Sequence, residues 1–424
     1  MNDRSVIVVG AGAAGLMVAR ELLRAGKEVL ILEARDRIGG RIHTMLNQQF
    51  TIEAGAEFVH GHLPLTMELL NEYGISYYET GGEMVQIENG NLREREGFIS
   101  GWDELLMKMG EVKTDMAFSD FLSIHFGEKK YEKLRSSVLR FAEGFDTADT
   151  NIASTLALYR EWTGEEDESQ YRIEGGYSRL TDALLNECLA LGGSLKMSHT
   201  VKKIQWEKNK VEVCTHNGQE FPGNRIILTV PVNVLKAQHW EPAGIAFTPS
   251  PKHHLDAIEK MGFGSVIKMI YQFEETFWRQ KIKNTGFIIS DETIPTWWSQ
   301  FPKSDFTLTG WLGGPSSKAF QQKTSEQISE LAIRSLASIF KTDLSSMQSQ
   351  ITGQYVFNWG NDPFTLGSYS FPAIGSNEAR KLLSNPVDNT LFFSGEALYE
   401  GSFGGSVEAA LASGSDVAKK LLQS

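Results

Sequence analysis

With 424 residues, 41% of them hydrophobic and 22% charged, the chain is long enough for two to three domains with sizeable cores, at roughly 150 residues each. A formal net charge of −12 argues against nucleic acid as a partner; it favours cationic ligands through long-range attraction and aids solubility. The two cysteines, Cys188 and Cys214, show no CxxC or zinc spacing, so no disulfide framework and no metal are expected; no apolar run reaches the ~18–20 residues of a membrane span and no signal-like segment precedes the first strand, which makes the cytoplasm the expected location.

Ser5–Val9 is β-branched and apolar and predicts a buried strand ending at Gly10. Residues 13–26 carry Ala14, Leu16, Met17, Leu22 and Leu23 at helical spacing before a Gly26 stop, and Val29–Leu32 predicts a second buried strand. Strand, helix and strand at this spacing form a βαβ unit. Residues 62–175 read as rich in helices, among them Pro64–Tyr73, Trp102–Met109, Asp115–Ile124 and Lys130–Ala142. Gly175-Gly176 breaks that pattern and leads into an amphipathic helix, Ser178–Leu191. Ser198–Val213 alternates like a hairpin, Asn217-Gly218 signals a turn, and Arg225–Val230 is a buried strand ending at Pro231. Residues 262–314 predict sheet (Ser265–Phe273, Gly286–Ser290, Phe306–Leu312), followed by a helix at Ser325–Phe340, a buried strand at Leu391–Phe393 and a last helix at about Val407–Leu422. The expected class is α/β: a Rossmann-type cofactor domain from 1–61, 176–245 and 386–424, interleaved with a mixed α+β domain from 62–175 and 246–385.

Gly10-Ala-Gly12-Ala-Ala-Gly15 matches G-x-G-x-x-G between that strand and helix. Gly10 permits the tight turn, Gly12 leaves room for a pyrophosphate against bare backbone, and Gly15 lets helix and strand pack closely. The helix N-terminus offers N–H groups and a positive dipole end to the phosphates. Glu33 ends the second strand, where an acid accepts from both ribose hydroxyls and repels a 2′-phosphate. That disfavours NADP and leaves NAD and FAD open.

Glu33-Ala34-Arg35-Asp-Arg37-Ile-Gly39-Gly40-Arg41 resembles the GG-R extension of the flavin-containing amine oxidases, a family that includes monoamine, polyamine and L-amino-acid oxidases and lysine-specific histone demethylases. The resemblance continues in Gly55-Ala-Glu57-Phe58-Val-His60-Gly61, Glu174–Leu180, Ile227–Pro231, Met261–Lys268, Trp359–Ser370 and Ser394–Ala409, in family order along the whole chain. It implies a small amine and molecular oxygen as partners, and FAD as cofactor. The implied cofactor contacts are Gly10, Gly12, Ala14, Gly15, Glu33, Ala34, Arg35, Gly40, Arg41, Glu57, Phe58, Val201 (a backbone beside the adenine), Pro231, Trp359, Gly395, Glu396, Gly405, Ser406 and Val407. Arg35 and Arg41 place charge near the pyrophosphate, and the helix opening at Val407 faces the flavin's pyrimidine oxygen; Ser406 also suits an N-cap.

The same resemblance makes Lys268, in the apolar run Ser265–Tyr271, the leading catalytic candidate, since the family has there a lysine joined by water to flavin N5. Tyr369 matches an aromatic flanking the substrate amine, and His60 a histidine near it in several polyamine oxidases, with a pKa expected near neutral that lets it sense or accept a proton. Ser368 stands where some relatives link the flavin through cysteine, so FAD is expected to be held non-covalently. The position of the second aromatic is Ser402, with Phe403 beside it, a departure from the family pattern. An amine oxidase is the first reading. An L-amino-acid oxidase is the alternative, with Arg160 a candidate for the substrate carboxylate, and a flavin-binding protein without amine turnover is the third.

Overall fold

Ser5–Val9 is the middle strand of a five-stranded, all-parallel sheet in the order Ser194–Lys196, Glu28–Leu32, Ser5–Val9, Arg225–Leu228, Leu391–Phe393. The computed structural model describes residues 5–47, 50–88, 90–93, 99–164, 169–303, 305–401 and 403–423. A strand covered on both faces reads as an unbroken apolar run. Val6–Val9 is buried at every residue, and so is Leu391–Phe393, which pairs in register with Ile226–Leu228. Helix Ala13–Arg24 covers the sheet and is itself clasped by Ser178–Ala190 and by the last helix, Val407–Leu422. Gly414 makes that last contact possible: a Cβ there would stand 2.6 Å from the Ala14 carbonyl.

A second sheet of seven strands runs Ile351–Asn358, Val266–Phe273, Thr307–Gly313, Thr296–Ser299, Thr285–Ser290, Glu83–Glu88, Asn91–Arg93. It is antiparallel except where Thr285–Ser290 meets Glu83–Glu88. The last two strands come from the stretch expected to be mainly helical. In Glu83–Glu88 only Ile87 is buried, so pairing rather than periodicity shapes these edge strands. Val266–Phe273 is buried at every residue. Its alternation sends Ile267, Met269, Tyr271 and Phe273 into the core beneath helix Ser325–Phe340 and turns Val266 and Lys268 to the opposite side. That helix opens with a complete capping box, Thr324 to Gln327.

Helices Trp102–Gly110, Phe118–His125, Glu132–Gly144 and Thr155–Trp162 close around a core of their own that includes Phe118, Phe121, Val138 and Leu158. The helix expected from Asp115 begins only at Phe118. The Asp115 carboxylate is instead engaged by Ser154 Oγ (2.7 Å) and Leu156 N (3.2 Å) at the start of helix Thr155–Trp162. The chain is therefore α/β, a Rossmann-type parallel sheet interleaved with a mixed second half. Among the described residues no helix is long and apolar enough to cross a membrane, and no group of three or more His, Cys, Asp or Glu is placed to hold a metal.

Candidate active site

A single cleft of about 2300 Å³ runs from the glycine turn to the seven-stranded sheet. Of the residues expected from sequence, Gly10, Gly12, Ala14, Glu33, Ala34, Arg35, Gly40, Arg41, Glu57, Phe58, His60, Val201, Pro231, Lys268, Trp359, Tyr369, Gly395, Glu396, Gly405, Ser406 and Val407 border it; Gly15 lies behind the turn.

The glycine end has the features a dinucleotide requires. Gly10 has φ +107°, and Gly12 caps helix Ala13–Arg24 without any side-chain cap. A Cβ at Gly12 would meet nothing nearer than the Gly39 carbonyl, 3.8 Å away, so bare backbone and the helix N-terminus face the cleft. The buried Glu33 carboxylate is oriented by Ala11 N (2.8 Å) and Arg35 N (2.9 Å) at the cleft wall. These groups fit the pyrophosphate and ribose of a dinucleotide.

The two arginines bordering this end are each engaged by a carboxylate. Arg35 pairs with Asp362, donates to Thr365 Oγ1 (3.0 Å) and lies over the Phe364 ring. Arg41 donates to Glu396 (2.7 Å) and to the Ser368 carbonyl (2.9 Å). Glu396 also accepts from Ser370 Oγ at 2.5 Å. The GG-R segment thus ties the first turn to residues 362–370 and to the last strand's exit. Ser406 is an N-cap, accepting from Ala409 N at 3.1 Å. Glu408, unsuspected from sequence, caps a different helix: its buried carboxylate accepts from Leu65 N (2.9 Å), Thr66 N (2.7 Å) and Thr66 Oγ1 (2.7 Å) at the start of Pro64–Glu72. Trp359 is buried and donates to the Ala54 carbonyl (2.8 Å).

At the other end, Lys268 is 1% exposed and its ammonium donates to Glu57 Oε2 (2.7 Å) and the Gly55 carbonyl (3.1 Å). Glu57 Oε1 accepts from Arg172 Nε (3.0 Å), Trp298 Nε1 (3.0 Å) and Gln300 Nε2 (3.1 Å). Burial alone would raise this carboxyl; the Lys268 and Arg172 charges, with the hydrogen bonds from Lys268 and Gln300, outweigh it and lower the pKa to about 2. Arg172 lies 4.5 Å over the Phe58 ring, and Phe58 packs against Phe287 and Trp298. Trp298 in turn meets Trp311, completing an aromatic wall.

His60 is exposed to the cleft, its ring edge-on to Phe145. Desolvation by the surrounding protein lowers its pKa to about 4, below the near-neutral value expected from sequence, which favours the neutral ring at neutral pH. The half-buried Tyr369 hydroxyl donates to the Phe145 carbonyl, and burial followed by the Asp146 charge pushes the phenol up, keeping it neutral. Phe403 packs against the core beneath the parallel sheet and does not border the cleft; Ser402 lies outside the described residues. Arg160 is exposed and away from the cleft lining.

Sequence reasoning missed Arg172, Trp298 and Gln300. Arg172 carried a usable signal, a charge inside the short strand Gln170–Ile173, the same anomaly that marks Lys268. Glu53, half-buried nearby, accepts from Tyr177 N (2.6 Å) and Thr44 Oγ1 (2.8 Å), yet burial raises its pKa from 4.5 to about 7. Between those values the folded state holds a proton that the unfolded state has lost, so stability falls as pH rises through the window. Glu53→Gln removes this loss. Relative to the parent, its stability in urea is expected to grow from pH 4.5 to pH 7 and to level off above; a constant difference would refute the shift.

A model of the flavin containing amine oxidoreductases matches residues 13–422. The chain is 30% identical to polyamine oxidase 2 of Arabidopsis thaliana, over 97% of this chain and 86% of that protein. The chain belongs to the flavin-containing amine oxidoreductase family. It is also 26% identical to human lysine-specific histone demethylase 2, over 93% of this chain and 51% of that protein. In fold it is similar to putrescine oxidase bound to putrescine (TM-score 0.82, 21% identity, 99% of each chain). The same holds for cyclohexylamine oxidase from Brevibacterium oxydans (TM-score 0.81, 18% identity, 99% of this chain and 98% of that one). This amine oxidoreductase is therefore a flavoprotein.

Proposed function

We propose that the protein is an FAD-dependent oxidase of small amines, with oxygen as acceptor. The observation that carries this reading is one cleft that joins the nucleotide-binding turn at Gly10–Gly12 to an aromatic chamber walled by Phe58, Trp298, Trp311 and Tyr369, with Lys268 at its side. The segments 1–61, 176–245 and 386–424 form the FAD-binding part, and 62–175 with 246–385 the substrate-binding part.

Bound FAD would supply the two-electron acceptor for oxidation of the amine to an imine, which water would hydrolyse, and would pass the two electrons with two protons to oxygen as hydrogen peroxide. The chain's residues prepare both partners. Glu33 and the Gly12 backbone would hold the ribose and pyrophosphate. The aromatic wall strips water from the amine, which disfavours its ammonium form. Neutral His60 adds no charge against an incoming cation and offers a ring nitrogen as acceptor. Tyr369, anchored on Phe145, presents a ring face. Lys268 keeps a fixed positive charge at the cleft wall. The helix N-terminus at Val407 stabilises negative charge that develops nearby.

An L-amino-acid substrate would need a cation for its carboxylate. Arg160 stands outside the cleft lining and Arg172 is engaged by Glu57, whereas Arg140 borders the cleft, so the comparison of amines with amino acids decides between the two substrate classes. The test is a panel of monoamines, diamines, polyamines and amino acids with a peroxide readout. Peroxide from amines alone supports the reading, and peroxide only from amino acids, or from none of the compounds, ends it.

Ser368 borders the cleft with its hydroxyl on Thr147 Oγ1 (3.1 Å). A serine cannot form a thioether, so acid precipitation is expected to release all flavin into the supernatant. A yellow pellet would refute non-covalent binding.

A further inference from the structure

Glu57 is joined to three segments far from it in sequence. Its carboxylate meets Lys268 on the buried strand Val266–Phe273, Arg172 on Gln170–Ile173, Trp298 on Thr296–Ser299, and Gln300 just beyond. Both protein acceptors of the Lys268 ammonium, Glu57 Oε2 and the Gly55 carbonyl, come from the same loop. An ammonium has three N–H donors, and two of these are so fixed, which aims the third. Lys268 lines the cleft, so that direction is set by where loop 54–58 holds its two acceptors.

We infer that Glu57 is a positioning residue: it anchors the Lys268 ammonium at the cleft wall and is itself held from behind by Arg172 and from the side by the Trp298 and Gln300 N–H groups. The three charges sum to one net positive charge, carried into the cleft by Lys268. Without the carboxylate, two buried cations share a neutral neighbour and repel. The lysine side chain then has four rotatable carbons and one remaining acceptor, and leaves the position. A buried ion pair is weak evidence of stabilisation on its own, since burying its charges costs about as much as their attraction returns. A role in placement gives this one a function that an apolar replacement would not supply. The functional consequence rests on the amine oxidase reading; the placement does not.

The experiment pairs a stability cycle on the full chain without added flavin with kinetics of the FAD-loaded enzyme. In the cycle, Glu57→Gln, Lys268→Met and the double variant are unfolded in urea. The loss in Glu57→Gln is expected to be largely recovered in the double variant, because the second substitution removes one of the two unpaired cations. Additive losses would overturn the inference, and so would an Arg172→Met substitution that rescues Glu57→Gln while Lys268→Met does not. With FAD and an active amine, Glu57→Gln is expected to keep KM within a few-fold, to shift the midpoint potential of the bound flavin, and to slow reoxidation by oxygen by up to about 10²-fold, the size of a small misplacement. Glu57→Asp, which keeps the charge, should recover most of that rate. An unchanged potential and reoxidation rate in folded, flavin-loaded Glu57→Gln would overturn it. If no amine reduces the flavin, the proposed function fails, while the stability cycle still decides the role of Glu57.

Discussion

The Lys268→Met variant is expected to be reduced by its amine at close to the parent rate and to be reoxidised by oxygen about 10²–10³-fold more slowly, the usual loss on removing one fixed electrostatic group from a site. The structure makes this substitution clean. Lys268 occupies the centre of a strand whose neighbours on both sides, Trp311 and Phe357, are in register and unaffected by the change. Methionine is unbranched and fills the same channel. The charge left behind is balanced: Glu57 keeps Arg172 at 2.9 Å, together with the Trp298 and Gln300 donors, so no lone buried ion results. Stopped-flow separation of the two half-reactions is the measurement. Full oxygen reactivity in the variant would remove Lys268 from the mechanism, and a slowed reductive half would move its role to the substrate.

Gly15→Ala is expected to weaken FAD binding by about 10²-fold and to lower the unfolding temperature, whereas Gly12→Ala should weaken binding with little change in stability. The two glycines belong to one motif but meet different surroundings. A Cβ at Gly15 would lie 2.0 Å from the Gly10 carbonyl oxygen and 2.8 Å from Thr229 Oγ1. The first of these is backbone at the tight turn and cannot give. The helix must therefore lift from the strand, an overpacking cost of about 1–3 kcal/mol, and its N-terminus moves out of line with the phosphates. A Cβ at Gly12 meets protein only at 3.8 Å, so it occupies the space meant for the ligand instead. Fluorescence titration of the flavin-free chain with FAD, alongside thermal unfolding, separates the cases. Equal stability losses in both variants would contradict this division of labour.

The strand, glycine turn and helix at residues 5–24 were legible because their constraints are local. A strand, a tight turn and a helix must follow one another at set spacing, and each glycine answers a contact within that unit or beside it. Helices Ser325–Phe340 and Val407–Leu422 were legible for the same reason, since apolar spacing and capping residues lie within the segment. Asp115 shows where local reading stops: an acid before an apolar run suits a helix start, yet it is engaged at the start of another helix. The edge strands at 83–93 are a second case, shaped by the strand they join.

The amino-acid order alone thus pointed to a dinucleotide, the parallel sheet and Lys268 as a charge in an apolar strand, and the family resemblance narrowed the cofactor to a flavin. Tertiary structure decided which charges act together. Arg35 and Arg41 lie in the same segment as Glu33, yet their guanidinium groups pair with Asp362 and Glu396. Glu57 is joined to Arg172, Trp298 and Lys268 by a fold that brings four separate segments to one buried point. The physical reason is that a buried ion is tolerated only with its counter-charge and hydrogen bonds in place. No periodicity encodes that partner, because it arrives from whichever strand the packing sets beside it.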